Sequence, residues 1–123
     1  MKPATTIRLG AAMAAMSVLC GAFAAHGLKH HLDERALAIF HTAAQYQMYH
    51  ALALIICGLL AERHPRKSPT LLVASHFFLA GILLFSGSLY LLALTGIGWL
   101  GAITPLGGIS FILGWLQLIR QRY

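Results

Sequence analysis

Residues 68–119 read SPTLLVASHFFLAGILLFSGSLYLLALTGIGWLGAITPLGGISFILGWLQLI and contain no Asp, Glu, Lys or Arg. A single helix of that length would reach about 78 Å, more than twice the ~30 Å hydrocarbon core of a bilayer. The stretch therefore holds two membrane spans. Their natural break is Thr95-Gly96-Ile97-Gly98, where two glycines weaken the helix and permit a turn. The reading predicts a third helix over about 70–94 and a fourth over about 99–119.

Two further charge-free runs precede it. One covers 9–28, about 20 residues, enough to cross at 1.5 Å per residue. The other covers 36–61, between Lys29-His30-His31-Leu32-Asp33-Glu34-Arg35 and Glu62-Arg63-His64-Pro65-Arg66-Lys67. The chain of 123 residues is 59% hydrophobic and 10% charged, where soluble domains carry about 25% charged residues. Too few polar side chains remain to clothe a surface in water, so lipid is the solvent. The expectation is an all-α, integral membrane four-helix bundle, one domain over 1–123.

The net charge of +6 does not point to nucleic acid, which needs a basic stripe on a soluble face. The Lys and Arg residues cluster between the apolar runs instead. Lys2, Arg8, Arg63, Arg66, Lys67, Arg120 and Arg122 fall on one side of a four-span chain, and only Lys29 and Arg35 on the other. By the positive-inside rule both termini are expected in the cytoplasm. Trp99 is expected at the outer interface, and Trp115 and Tyr123 toward the inner one. Ala22-Phe23-Ala24 resembles a signal-peptidase site, but the first run is long enough to span and is read as an uncleaved helix. Cys20 and Cys57 lie inside apolar runs and are read as packing residues, not a disulfide.

Gly10, Ala14, Ser17, Gly21 and Ala25 form a strip at steps of three and four. It is read as the first helix's seam against a neighbour, since association in lipid depends on close packing. The acidic pair Asp33-Glu34 suits a helix N-terminus, and 33–44 could form an interfacial helix before the second span enters.

Polar residues inside spans are the candidate site. On the second helix, Tyr46, Gln47 and His50 share a face in its outer half; Ser86, Ser88 and Tyr90 face them from the third. Equal rises place Tyr46 near Ser86 and His50 near 81–84, with His76, Gly87 and Tyr90 on one face. Such groups at membrane depth normally point inward and find partners. They are either an interhelical hydrogen-bond knot that fixes register or a small polar binding or proton-relay site around His50. His26 is read as a capping or hydrogen-bonding residue at the end of the first helix. Its spacing to His30 suits a metal pair, but Gly27 favours a helix end there, so no metal site is expected. In the last span, Thr104, Pro105, Gly107 and Gly108 mark a kink or break, with Gly107 and Gly114 lining its contact face. No triad, carboxylate pair, phosphate loop or CxxC is present, so neither an enzyme nor a cofactor is expected.

Several blocks together carry a resemblance. They are Gly21-Ala22-Phe23-Ala24-Ala25-His26-Gly27-Leu28-Lys29, Phe40-His41-Thr42-Ala43, Tyr46-Gln47-Met48-Tyr49-His50-Ala51-Leu52-Ala53, Phe85-Ser86-Gly87-Ser88-Leu89-Tyr90 and Ile103-Thr104-Pro105-Leu106-Gly107-Gly108. Over 7–115 the chain resembles the small bacterial inner-membrane family of the YgdD and YwdK type, a domain of unknown function with eukaryotic relatives. Ala24 stands where many relatives carry Gly. The resemblance implies four transmembrane helices in the bacterial plasma membrane and no particular activity. The functional expectation is a non-enzymatic accessory or assembly partner in the bilayer, as a homo-oligomer or beside another membrane protein. The rival is a small transporter or channel using the centre around His50.

Overall fold

Pro3 opens the first helix, α1 (Pro3–His26), where its missing N–H would have had no intrahelical partner anyway. The computed structural model describes residues 1–122, so the expectation for Tyr123 lies outside the described residues. Helix α1 therefore starts well before the charge-free run and carries Arg8 within it. It closes at Gly27, whose N–H reaches the Phe23 carbonyl at 2.7 Å. A short turn, Leu28–His30, leads to α2 (Glu34–Arg63). Asp33 caps α2, its carboxylate accepting from the Ala36 N–H at 2.7 Å, which is the role the acidic pair suggested. No separate interfacial helix exists, because α2 runs unbroken from that cap to Arg63.

After the turn Pro65–Lys67, the third span is α3 (Ser68–Gly81), a π-helical turn (Ile82–Ser86) and α4 (Gly87–Thr95). Gly96 ends it with φ of 70°, a left-handed cap that suits a residue without Cβ. The fourth span begins as a 3₁₀ turn, Gly98–Ala102, and continues as α5 (Thr104–Ile119). The last helix is bent by 25°, as the Thr104-Pro105 pair predicted. Four segments, Pro3–His26, Glu34–Arg63, Pro65–Thr95 and Gly98–Ile119, are long and apolar enough to cross a membrane. No strand occurs among the described residues.

Helix α2 is the centre of the arrangement. Half of its apolar span is buried, against 17% for α1 and 22% for the last span. Helix α1 packs almost wholly on α2, the third span covers another side of α2, and α5 lies on α3. The α1 seam consists of buried Thr6, Gly10, Ser17 and Ala24, with Met13 and Cys20 half-buried between them. Gly10 and Ser17 are where the sequence placed them. Gly21 has open space and Ala25 is exposed, so the far end of the expected strip is corrected to Ala24. The buried set repeats every 3.5 residues, and a seam followed at 3.6 drifts off it within a few turns. A Cβ on Gly10 would lie 2.8 Å from the Ala51 carbonyl oxygen, which shows how closely α1 meets α2.

The third and fourth spans meet through rings seated on glycines. Phe111 lies over Gly81, Phe78 over Gly114, and the Phe85 backbone over Gly107. Gly107 and Gly114 therefore do line the contact face. One core cluster gathers Leu54, Cys57, Phe78, Ile82 and Phe111; a second, toward the other end, gathers Ala24, Leu28, Phe40 and Ala93. Cys20 and Cys57 are free thiols.

Candidate functional site

Gln47 and His50 straddle the middle of α2 between Glu34 and Arg63. Gln47 lies just on the Glu34 side of that midpoint and His50 just beyond it.

The centre divides into two groups. In the first, the Gln47 amide is 2% exposed and spans two interfaces. Its Nε2 donates to the Met13 carbonyl on α1 at 2.8 Å, and its Oε1 accepts from the Tyr90 hydroxyl on α4 at 2.7 Å. Beside it, Ser17 Oγ donates to the Ala44 carbonyl at 2.6 Å, and Ser86 Oγ to the Ala43 carbonyl at 2.8 Å. Each carbonyl has a second lone pair for this beyond its helical bond. Helix α2 is thereby tied at one level to α1 on one side and to the third span on the other.

The second group surrounds His50. Trp115 Nε1 lies 3.1 Å from His50 Nε2, and an indole N–H can only donate. Nε2 therefore accepts, and Nδ1 carries the proton it donates to the Tyr46 carbonyl at 2.7 Å. The imidazole stacks on Phe111 with centroids 3.5 Å apart and planes 7° from parallel. Phe78 and Tyr46 complete the ring cluster, and Tyr46 also packs on Phe85 at 4.6 Å.

Of the residues grouped by sequence, Gln47, Ser86 and Tyr90 do come together. Ser86 and Ser88 do not join His50. The Ser88 hydroxyl pairs with Thr104 Oγ1 at 2.7 Å and donates to the Phe85 carbonyl at 2.9 Å, linking the third span to the last. Thr104 is accordingly a tie between spans and not a cap, and Pro105 is exposed at the start of α5. His26 is exposed at the end of α1 and takes part in none of the centre's hydrogen bonds. His76 is exposed, bonded to its own helix at the Leu72 carbonyl.

Sequence reasoning missed Trp115 as the partner of His50, reading it as an interfacial aromatic. It also missed Ser110, which donates to the Phe77 carbonyl at 2.7 Å. The signal was present: Gly107, Ser110, Phe111 and Gly114 follow the helical spacing of one buried face, and Trp115 adjoins it.

Among the described residues no buried side-chain nitrogen or oxygen lacks a hydrogen-bond partner. No group of three or more His, Cys, Asp or Glu is placed to hold a metal among them. A groove of 390 Å³ opens between α2 and α5, lined by Tyr46, Tyr49, His50, Phe85, Gly108, Phe111, Ile112 and Trp115. A larger cleft of 500 Å³ lies at the far end of the helices, between the α2 cap and the Gly96 turn, with Asp33, Arg35 and Thr95 in its lining. It shares no residue with the polar centre.

Comparison with known proteins follows this architecture. Residues 20–108 match the model of a family described as "Protein of unknown function (DUF423)". The chain is 46% identical over 113 residues to the UPF0382 membrane protein YwdK of Bacillus subtilis, covering 92% of this chain and 91% of the relative. It is 48% identical to the UPF0382 membrane protein SAB0533 of Staphylococcus aureus and 49% to SH2409 of Staphylococcus haemolyticus, each over 92% of this chain and 90% of the relative. No solved structure matches. With its described helices and its match over most of its length, the chain belongs to the DUF423 family of membrane proteins.

Proposed function

We propose that this protein is a non-enzymatic helix-packing partner within a larger assembly of the bacterial plasma membrane, with both termini in the cytoplasm. The observation that carries the reading is the outer face of α1. Opposite its seam, Ala4, Ala11, Ala15 and Ala22 are exposed along one line, interrupted by Arg8 and Val18. Small side chains facing outward let a second helix approach closely, whereas lipid imposes no such requirement. The exposed face of α5 is different: Leu106, Ile109, Leu113, Leu116 and Ile119 are bulky aliphatics suited to acyl chains. Of these two outer faces, that of α1 is the one shaped for another helix.

The state of the polar centre favours this reading over transport. A conduction path needs polar groups that can exchange partners with a solute or with water. Gln47, Ser17, Ser86 and His50 already have theirs within the bundle. For orientation, the distribution of Lys and Arg is joined by the Lys67 ammonium bonding to the Arg122 carbonyl, which draws the α2–α3 turn and the C-terminus to one side.

Affinity purification in mild detergent is the test. A second copy or a stoichiometric membrane partner should accompany the wild type and be lost in Ala15→Leu. In proteoliposomes, solute or proton flux above that of empty vesicles, abolished by His50→Ala, would replace this reading with the transport one.

A further inference from the structure

Charge is divided unevenly between the two ends of the bundle. At one end Lys29 and Arg35 are offset by Asp33 and Glu34. Every other Lys and Arg belongs to the opposite end, where Glu62 is the sole acidic side chain. The fold draws these cations together. The start of α1 meets the end of α2, where a Cβ on Gly58 would lie 3.0 Å from the Pro3 carbonyl oxygen. The bond from the Lys67 ammonium to the Arg122 carbonyl joins the α2–α3 turn to the C-terminus. Arg63, Arg66, Arg120 and Arg122 are exposed, and none of their guanidiniums has a hydrogen-bond or ion-pair partner among the described residues. A cluster of one sign repels itself unless an anion enters it.

Beside the cluster lies a groove of 190 Å³ between α3 and α5, lined by Phe77, Leu113, Leu116, Gln117 and Arg120. Leu113, Leu116 and Arg120 stand on successive turns of α5, so an apolar strip leads directly to a guanidinium.

We propose that this end of the bundle binds an anionic phospholipid with two phosphates on one headgroup, with an acyl chain lying in the α3–α5 groove. The groove selects a lipid over a soluble anion, because it joins a seat for a hydrocarbon chain to the cations. Those cations also sit where the spans end, at the level of the headgroups, and basic pockets between helix ends take such lipids. Guanidinium forks match phosphate oxygens in pairs. Two phosphates fit because the arginines come from two segments, the turn and the C-terminus, and one headgroup that bridges both gains from the linkage. The site uses no residue of the exposed α1 alanine face, so it stands or falls separately from the assembly reading.

The full chain, purified in a neutral detergent, is titrated with cardiolipin and separately with phosphatidylglycerol, and bound lipid is counted by native mass spectrometry. A saturable cardiolipin adduct is expected, with a midpoint about tenfold or more below that of phosphatidylglycerol. Arg63→Gln with Arg66→Gln should raise the cardiolipin midpoint about tenfold or more, and so should Arg120→Gln with Arg122→Gln. Lys67 stays in place because it holds the Arg122 carbonyl. Lys29→Gln with Arg35→Gln, at the far end, should leave the midpoint unchanged. No saturable adduct, equal midpoints for the two lipids, or an equal shift from the Lys29 and Arg35 pair overturns the proposal. Displacement of the lipid by an equal concentration of pyrophosphate would show a site for soluble anions and overturn it too. Should either arginine pair lose its helicity, the other pair decides.

Discussion

The hydroxyl of Tyr90 donates to Oε1 of Gln47 at 2.7 Å, across the interface between α4 and α2. The same amide reaches back to the Met13 carbonyl on α1 at 2.8 Å. One side chain thus fixes the register of three spans, and any one-residue slip of α1 or α4 breaks a bond that no water can replace.

Gln47→Leu strands the Tyr90 hydroxyl, and Tyr90→Phe strands Oε1. Each should lower stability, and the double variant should lose less than the sum. Interhelical hydrogen bonds in lipid average about 0.6 kcal/mol and reach about 1.7. A double-mutant cycle by denaturant titration in micelles should return a coupling energy in that range; zero coupling would remove Gln47 from the role of a tie.

Two adjacent glycines should respond oppositely. A Cβ on Gly107 would collide with the backbone of Phe85, while one on Gly108 has room. Gly107→Ala is therefore expected to cost about 1–3 kcal/mol, as overpacking does. Gly108→Ala should stay within about 0.5 kcal/mol. Thermal unfolding of both variants checks the contrast, and equal melting points would contradict the close approach of the third and last spans.

Much of this was legible in residue order. Charge-free runs set the number of spans, Asp33-Glu34 set the start of α2, and Thr104-Pro105 set the bend in the last helix. What stayed hidden depends on phase and reach. The third span carries the π-helical turn Ile82–Ser86, which no local residue announces and which shifts the phase of everything beyond it. Ser86 meets the Ala43 carbonyl, about one turn from Tyr46 along α2. Trp115 has the composition of an interfacial anchor, yet its N–H points inward to His50. The partner of a long side chain is set by the neighbouring helix, and sequence spacing within one helix does not reveal it.

Sidedness has a direct readout. With Cys20 and Cys57 replaced by Ala, a membrane-impermeant maleimide should label Gly98→Cys in intact cells. It should label Gln121→Cys only after lysis. The reverse pattern would place both termini outside and contradict the positive-inside reading.

The assembly role is tested most directly by the mass of the protein held in native-lipid polymer particles, compared between wild type and an Ala11→Leu, Ala15→Leu double variant. Wild type should appear with a second copy or a partner chain, and the variant as a single folded chain of unchanged helicity. A wild type that is strictly monomeric in its own lipid, with the same mass as the variant, would contradict the claim that α1 offers its small-residue face to another helix.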